Sequence, residues 1–265
     1  MSDIRFSQIE RVFMRGNVSH AVLKGIELEV RNEEFVSIVG PSGCGKTTML
    51  RLAAGLDSPT SGQVSVGGKV VQGPGPDRAV VFQQFALFPW KTVSENIEFG
   101  LRCKGMATGE RARLVAHYLG VMNLEGRGNA YPHQLSGGMQ QRVAIARSYA
   151  LEPGVLLMDE PFGALDAQTR TVMQEELLRI CSASPRTVLF ITHSVEEAVY
   201  LSDRVVVMGR SGSGIIADID ISGTRESEQW STHKRIEDVM DLPSFIGLRT
   251  RIWKLLREQD LIHHP

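Results

Sequence analysis

The chain has 265 residues, enough for one compact domain with subdivisions. Apolar residues make up 42% and charged residues 22%, so a core can be buried without staples. Twenty-nine Lys and Arg against 30 Asp and Glu leave a net charge of -1, which excludes the basic bias of a typical nucleic-acid binder.

Cys44, Cys103 and Cys181 are an odd, widely spaced set with no C-x-x-C pair, so neither a disulfide framework nor a zinc site is expected. The start, Met1-Ser2-Asp3-Ile4-Arg5, lacks a charged region followed by an apolar run. No stretch approaches the roughly 18 apolar residues of a membrane span. The chain reads as cytosolic, with any membrane role passing through a partner.

Residues 4–36 alternate short apolar runs with turn signals, and Ile26 to Val30 has the two-residue period of a half-buried strand. Phe35 to Val39 reads as a buried strand that runs into a glycine-rich turn. From Thr47 to Gly55 the pattern is helical, with Met49, Leu50, Leu52 and Ala53 on one side. Gly62 to Val71 reads as a hairpin turning at Gly67-Gly68. Ala79 to Phe82 is a short strand. The stretch 85–150 is mostly helical, at 92–103, 108–122 and 137–150, with Pro89, Gly105, Gly126 and Pro132 as breaks. Val155–Met158 and Thr187–Thr192 read as buried strands, Arg204–Met208 as a strand, and Ala167–Ile180 and Val195–Leu201 as helices. Strands alternating with helices imply a mainly parallel sheet covered on both faces. Residues 211–235 read as a loose connection, and 244–258 as a last helix.

Gly40-Pro41-Ser42-Gly43-Cys44-Gly45-Lys46-Thr47 fits G-x-x-x-x-G-K-[ST], with a strand before it and a helix after it. Glycines let backbone N–H groups close on phosphate oxygens, and the helix presents its positive end. Lys46 would reach the β- and γ-phosphates of ATP, the Thr47 hydroxyl would ligate Mg2+, and Thr48 would join the cradle. Asp159-Glu160 follows the strand 155–158, where α/β sheets place their ligands. Asp159 suits the Mg2+ shell, and Glu160 suits a general base polarising the attacking water. A solvated acidic turn is the plainer alternative. Leu135-Ser136-Gly137-Gly138-Met139-Gln140-Gln141-Arg142 opens a helix, with Ser136 as N-cap and bare N–H groups at Gly137 and Gly138. That is a second anion site, unless it is only a glycine loop capping a helix. Two half-sites suggest a head-to-tail dimer, each ATP lying between one chain's cradle and the other's Ser-Gly-Gly turn.

Leu135 to Arg142 is similar to the signature of ABC ATPases, and the resemblance covers about residues 5–210 with every motif in order. It implies an α/β fold: a P-loop NTPase (RecA-like) core with a mainly parallel sheet, an antiparallel β subdomain and an inserted α-helical subdomain. The core is expected at 1–84 and 151–210, the helical subdomain at 85–150, and a connection plus C-terminal helix at 211–265. The resemblance implies that Ser136 and Gly138 contact the γ-phosphate in trans. Gln83 resembles the glutamine that senses Mg2+ and water. Asp166, in Gly163-Ala164-Leu165-Asp166, resembles the loop that communicates across the dimer. His193 resembles the histidine that orients the γ-phosphate. Phe13 matches the family's aromatic platform for adenine, where base stacking contributes about 1–3 kcal/mol.

Gly73 to Arg78, Phe88-Pro89-Trp90, Tyr131 to Gln134 and Phe245 to Arg249 look like the nitrate/sulfonate/taurine importer branch. The resemblance then implies two transmembrane permease subunits, contacted at Phe88, Pro89 and Trp90. It also implies an extracytoplasmic solute-binding protein, and a place on the cytoplasmic face of the membrane. No nucleic-acid partner and no C-terminal sensor are expected. Ser148-Tyr149 and Ser211 to Gly214 depart from the family's usual residues. A soluble, non-transport ABC ATPase remains the alternative; a P-loop kinase or GTPase would leave Leu135 to Arg142 unexplained. The cargo is chosen elsewhere, so sulfonate, nitrate, taurine, a pyrimidine precursor or another small solute all stay open.

Overall fold

Leu23, Ile26, Leu28 and Val30 are buried along one side of a long strand while most residues between them are exposed. That alternation sets the first of the two kinds of strand in this protein. The computed structural model describes residues 2–16, 18–233 and 235–261; Asn17, in the spacer between Met14 and His20, lies outside them. In chain order the elements are β1 (Ile4–Arg15), β2 (Val18–Val30), β3 (Phe35–Val39), α1 (Lys46–Ala54), β4 (Ser61–Val66), β5 (Lys69–Val70) and β6 (Arg78–Val81). There follow α2 (Val93–Cys103), α3 (Thr108–Val121), a 3-10 turn (Pro132–Gln134), α4 (Gly137–Ala150), β7 (Val155–Asp159) and α5 (Ala167–Ala183). The chain closes with β8 (Thr187–Ile191), α6 (Val195–Leu201), β9 (Arg204–Met208), β10 (Ile215–Asp220), α7 (Ser222–Ser227), a 3-10 turn (Trp230–Thr232), α8 (Ile236–Met240) and α9 (Pro243–Leu261).

The chain divides into two compact units, residues 1–75 with 186–265, and residues 76–185. In the first unit β1 pairs antiparallel with both β2 and β4, and β4 turns back into β5. This is the antiparallel β subdomain. Beside it β3 runs parallel to β8 and to β9, and β10 adds an antiparallel edge. Every residue of β3 and β8 is buried, as continuous apolar runs in a parallel sheet require. Arg204 closes the base of this sheet, paired at 2.8 Å with Glu34 and at 2.7 Å with Asp218. In the second unit β6 and β7 form a parallel pair, accompanied by α2 to α5. Glu176 of α5 is buried and accepts from Asn123 Nδ2 at 3.0 Å and Arg142 Nη1 at 3.2 Å, which ties α5 to α4. Burial pushes the Glu176 carboxyl up, against the pull of Arg142.

The expected α/β class is borne out, with a mainly parallel sheet, an antiparallel subdomain and a helical insertion. The segment 211–235 holds more structure than a loose connection: it contains β10, α7 and a 3-10 turn. Its polar composition hides this because β10 is an edge strand. Asp218 and Asp220 are exposed while Ile219 and Ile221 are buried. Trp230 is buried against Phe245 with ring centroids 5.7 Å apart, and Ile252 of α9 is also fully buried. Arg225 donates to the carbonyls of Tyr200 (2.8 Å) and Ser202 (2.6 Å), fastening α7 to the end of α6. Among the described residues no helix is long and apolar enough to cross a membrane.

Trp230→Ala should therefore cost about 3–5 kcal/mol through the cavity it leaves. By calorimetry the unfolding midpoint should fall by roughly 2–4 °C for each kcal/mol lost. An unshifted midpoint would mean that the C-terminal segment is not part of the folded core.

Candidate active site

Strand β3 ends at Val39, and the chain turns through Gly40 to Gly45 before α1 begins at Lys46. Gly45, the residue before α1, has φ 107, and a Cβ built there would lie 2.5 Å from Leu23 Cδ2. Both conformation and space demand glycine. The first turn of α1 carries no acidic side chain, so the positive end of the helix dipole is uncompensated from within. Lys46 is mostly buried, and its ammonium donates to the carbonyls of Gly40 (2.8 Å) and Pro41 (3.0 Å). Its charge is thus held inside the loop rather than released to solvent. Ser42, Gly43 and Thr47 are exposed, Pro41 and Thr48 half-buried, and Cys44 buried, which pushes its thiol pKa up. Cradle, helix end and lysine together have the chemistry that could hold a polyphosphate.

His193 arrives from the neighbouring strand. Ile38 of β3 pairs with Ile191 of β8, so Gly40 and His193 each follow their paired residue by two positions. Thr192 N–H donates to Ile38 carbonyl at 3.3 Å, and Ser194 caps α6 by accepting from Glu197 N–H at 3.2 Å. The exposed His193 lies between these two anchors.

The second unit repeats the device. Val81 of β6 pairs with Met158 of β7, and two residues beyond each stand Gln83 and Glu160. Gln83 Nε2 donates to Glu160 Oε2 at 3.3 Å, so the structure brings these two predicted residues together. Asp159 ends β7 and is half-buried. Glu160 has φ 44, a left-handed backbone that costs a residue with a side chain about 1–2 kcal/mol. Its carbonyl accepts from Gly163 N–H at 3.1 Å, which makes the turn after the strand.

Ser136 Oγ accepts from Met139 N–H at 3.3 Å and caps α4 as the sequence predicts. Gly137 is exposed. A Cβ on Gly138 would lie 2.5 Å from Thr169 Cγ2, so glycine here lets α4 and α5 approach closely. Asp166 caps α5 by accepting from Thr169 N–H at 2.9 Å, which holds its carboxyl below the usual range. Ser136, Gly138, Met139, Arg142 and Thr169 line a cleft of about 510 Å³.

Phe88, Pro89 and Trp90 form the loop before α2, and Trp90 is 71% exposed. Phe88 lies between Trp90 and Phe99 with tilted rings, at 5.8 and 4.6 Å between ring centroids. Sequence reading missed the residue that fixes this loop. Asn96 is fully buried, accepts from Phe88 N–H at 2.9 Å, and donates to the carbonyls of Phe88, Lys91 and Thr92. The signal was a polar residue on the same helix stripe as Val93, Ile97 and Leu101. Phe13, near the end of β1, is 39% exposed, with the Arg11 guanidinium 4.5 Å from its ring centroid. Arg11 is itself held by Asp57 at 2.8 Å.

Gly45→Ala should raise the dissociation constant for ATP at least about tenfold, the equivalent of 1.4 kcal/mol, because the turn must distort to admit a Cβ. Titration calorimetry with the unchanged chain as reference would show it; unaltered affinity would remove the cradle from the site.

A family model described as ABC transporter matches residues 23–163. An uncharacterized ABC transporter ATP-binding protein of Methanocaldococcus jannaschii is 52% identical over 225 residues, 84% of each chain. The nitrate import ATP-binding protein NrtD of Synechocystis is 46% identical over 259 residues, covering 97% of this chain and 96% of that one. Among solved structures, the ATP-binding cassette MJ0796, a dimer in a post-hydrolysis state bound to ADP and Pi, superposes with a TM-score of 0.73. It is 33% identical and covers 82% of this chain and 98% of that chain. The phosphate cradle at the head of α1 and the carboxylate edge of β7 therefore sit in a chain that belongs to the ABC transporter family, as the ATP-hydrolysing subunit of a transporter.

Proposed function

We propose that this chain energises uptake of a small anion, such as nitrate, sulfonate or taurine, across the cytoplasmic membrane. It would do so as a head-to-tail dimer docked from the cytoplasmic side on two permease subunits. The end-to-end similarity to a protein named for nitrate import supports the branch. The dimer of MJ0796 supports the assembly. Cargo would reach the permeases from an extracytoplasmic solute-binding protein.

The observation that carries the chemistry is the contact of Gln83 with Glu160 at the carboxyl edge of β7. Glu160 takes the role of general base, accepting the proton of the attacking water, and the Gln83 amide orients its carboxylate. Lys46 and the backbone N–H groups of Ser42 to Thr48 bind the β- and γ-phosphates of ATP, and His193 stabilises the charge on the γ-phosphate. Phe13 offers its ring to adenine. Ser136, Gly137 and Gly138 contribute to the ATP of the second copy, and Asp166 carries the signal across the dimer.

Among the described residues no group of three or more His, Cys, Asp or Glu gathers to hold a metal. Thr47, Asp159 and Gln83 offer a hydroxyl, a carboxylate and an amide oxygen, the kind of donor set that suits Mg2+ shared with phosphate and water. When bound, the ion neutralises phosphate charge.

Glu160→Gln should reduce steady-state ATP turnover by at least about a hundredfold, the lower end for a general base. It should also leave an ATP-stabilised dimer by size-exclusion chromatography. A monomer with full turnover would remove Glu160 from the chemistry and the second copy from the site. Trp90→Ala should keep ATP affinity unchanged and weaken co-purification with the permease subunits; undiminished recovery would place the permease contact elsewhere.

A further inference from the structure

Arg147 stands in the last turn of α4, the helix that begins at the Ser-Gly-Gly turn. Its Nη1 donates to the Ala86 carbonyl at 2.8 Å and its Nη2 to the Phe85 carbonyl at 3.3 Å. The same guanidinium lies 5.7 Å from the centroid of the Phe88 ring. Burial pushes its pKa down, so this charge has been drawn out of water to make these contacts. What it grips is strained. Ala86 has φ 48, a backbone region that disfavours any residue with a Cβ. Ala86 is exposed, so packing of its own side chain does not hold it there. The segment leads through Phe88 to the exposed Trp90.

We propose that Arg147 is a positioning residue: its guanidinium clamps the Phe85 and Ala86 carbonyls, holds the strained turn, and so fixes where Phe88 and Trp90 are presented. The planar fork suits this task because two carbonyls are gripped at once and the ring face is covered by the same group. A lysine offers a single point of attachment. Arg147 and Ser136 belong to one rigid helix, so movement at the Ser-Gly-Gly end is transmitted to the Trp90 surface through α4 itself. The Gln83 contact with Glu160 would then be one of two routes from nucleotide to loop. The functional meaning rests on the reading of residues 88–90 as the permease contact, but the clamp does not.

The test is fluorine NMR of the isolated full chain labelled with 5-fluorotryptophan. Trp90, Trp230 and Trp253 give three resonances, and Trp90→Phe identifies the first. Arg147→Lys is expected to shift and broaden the Trp90 resonance alone; Trp230, buried in the other unit, reports the fold of that unit, and an unchanged helical signal and cooperative unfolding transition by circular dichroism report the fold of the unit that holds Arg147. Adding Ala86→Gly, which relieves the strain, is expected to restore the Trp90 signal. Ala86→Val is the second variant, for the case in which Arg147→Lys does not fold. Its exposed position spares the core, and its β-branched side chain raises the strain, so Trp90 should move as in Arg147→Lys. A Trp90 resonance unmoved by Ala86→Val or by folded Arg147→Lys overturns the proposal, as does failure of Ala86→Gly to restore it. With permease subunits present, Arg147→Lys should lower stimulated turnover roughly tenfold, the scale of a typical coupling between sites, and leave KM for ATP unchanged. If Trp90→Ala spares assembly while the spectra behave as expected, the permease reading fails and the clamp stands.

Discussion

Parallel strands deliver all their carboxyl ends to one edge, and that constraint organises both units of this protein. Backbone pairing fixes the register: Ile38 beside Ile191 in one unit, Val81 beside Met158 in the other. Two residues further on, the strands release Gly40 with His193, and Gln83 with Glu160. The polar groups are thus placed by a ladder of main-chain hydrogen bonds rather than by their own contacts. A slip of one residue would turn every one of them to the wrong face.

The second ordering principle is the satisfaction of buried polar groups. Asn96 bridges four backbone groups of the loop before α2, and Glu176 gathers Asn123 and Arg142 between helices. Asn96 thereby holds irregular backbone and Glu176 holds two side chains between helices, arrangements that hydrophobic contacts alone do not specify. The candidate site residues Gly40, His193, Gln83 and Glu160 all lie in irregular backbone just beyond the strands. Regular structure below it supplies the fixed frame.

The sequence displayed the site better than it displayed the frame. Gly40 to Thr47 declares itself because a phosphate cradle needs glycine, lysine and threonine at fixed spacing. The strands β3, β7, β8 and β9 declare themselves as short apolar runs with turn signals. The edge strand β10 did not, because only Ile219 within it is buried and it carries the exposed Asp218 and Asp220. The length of the β1–β2 hairpin was also obscured. Its pairing shifts register between Phe6 and Ile9, between Ile9 and Arg11, and between Arg11 and Val12, and these irregularities break the two-residue period that sequence reading relies on. Asn96 and Arg147 were overlooked for a related reason: their hydrogen bonds go to main-chain groups, which leave no trace in a residue pattern.

The left-handed backbone of Glu160 has a consequence for anyone who would make this protein hardier. Glycine or asparagine would sit more comfortably at φ 44 than glutamate does. A library sorted by heat resistance alone would therefore drift away from the carboxylate at this position, gaining robustness as it discarded the group assigned to water attack. Thermal screening of this fold needs a turnover assay beside it, because here the two pressures pull one residue in opposite directions.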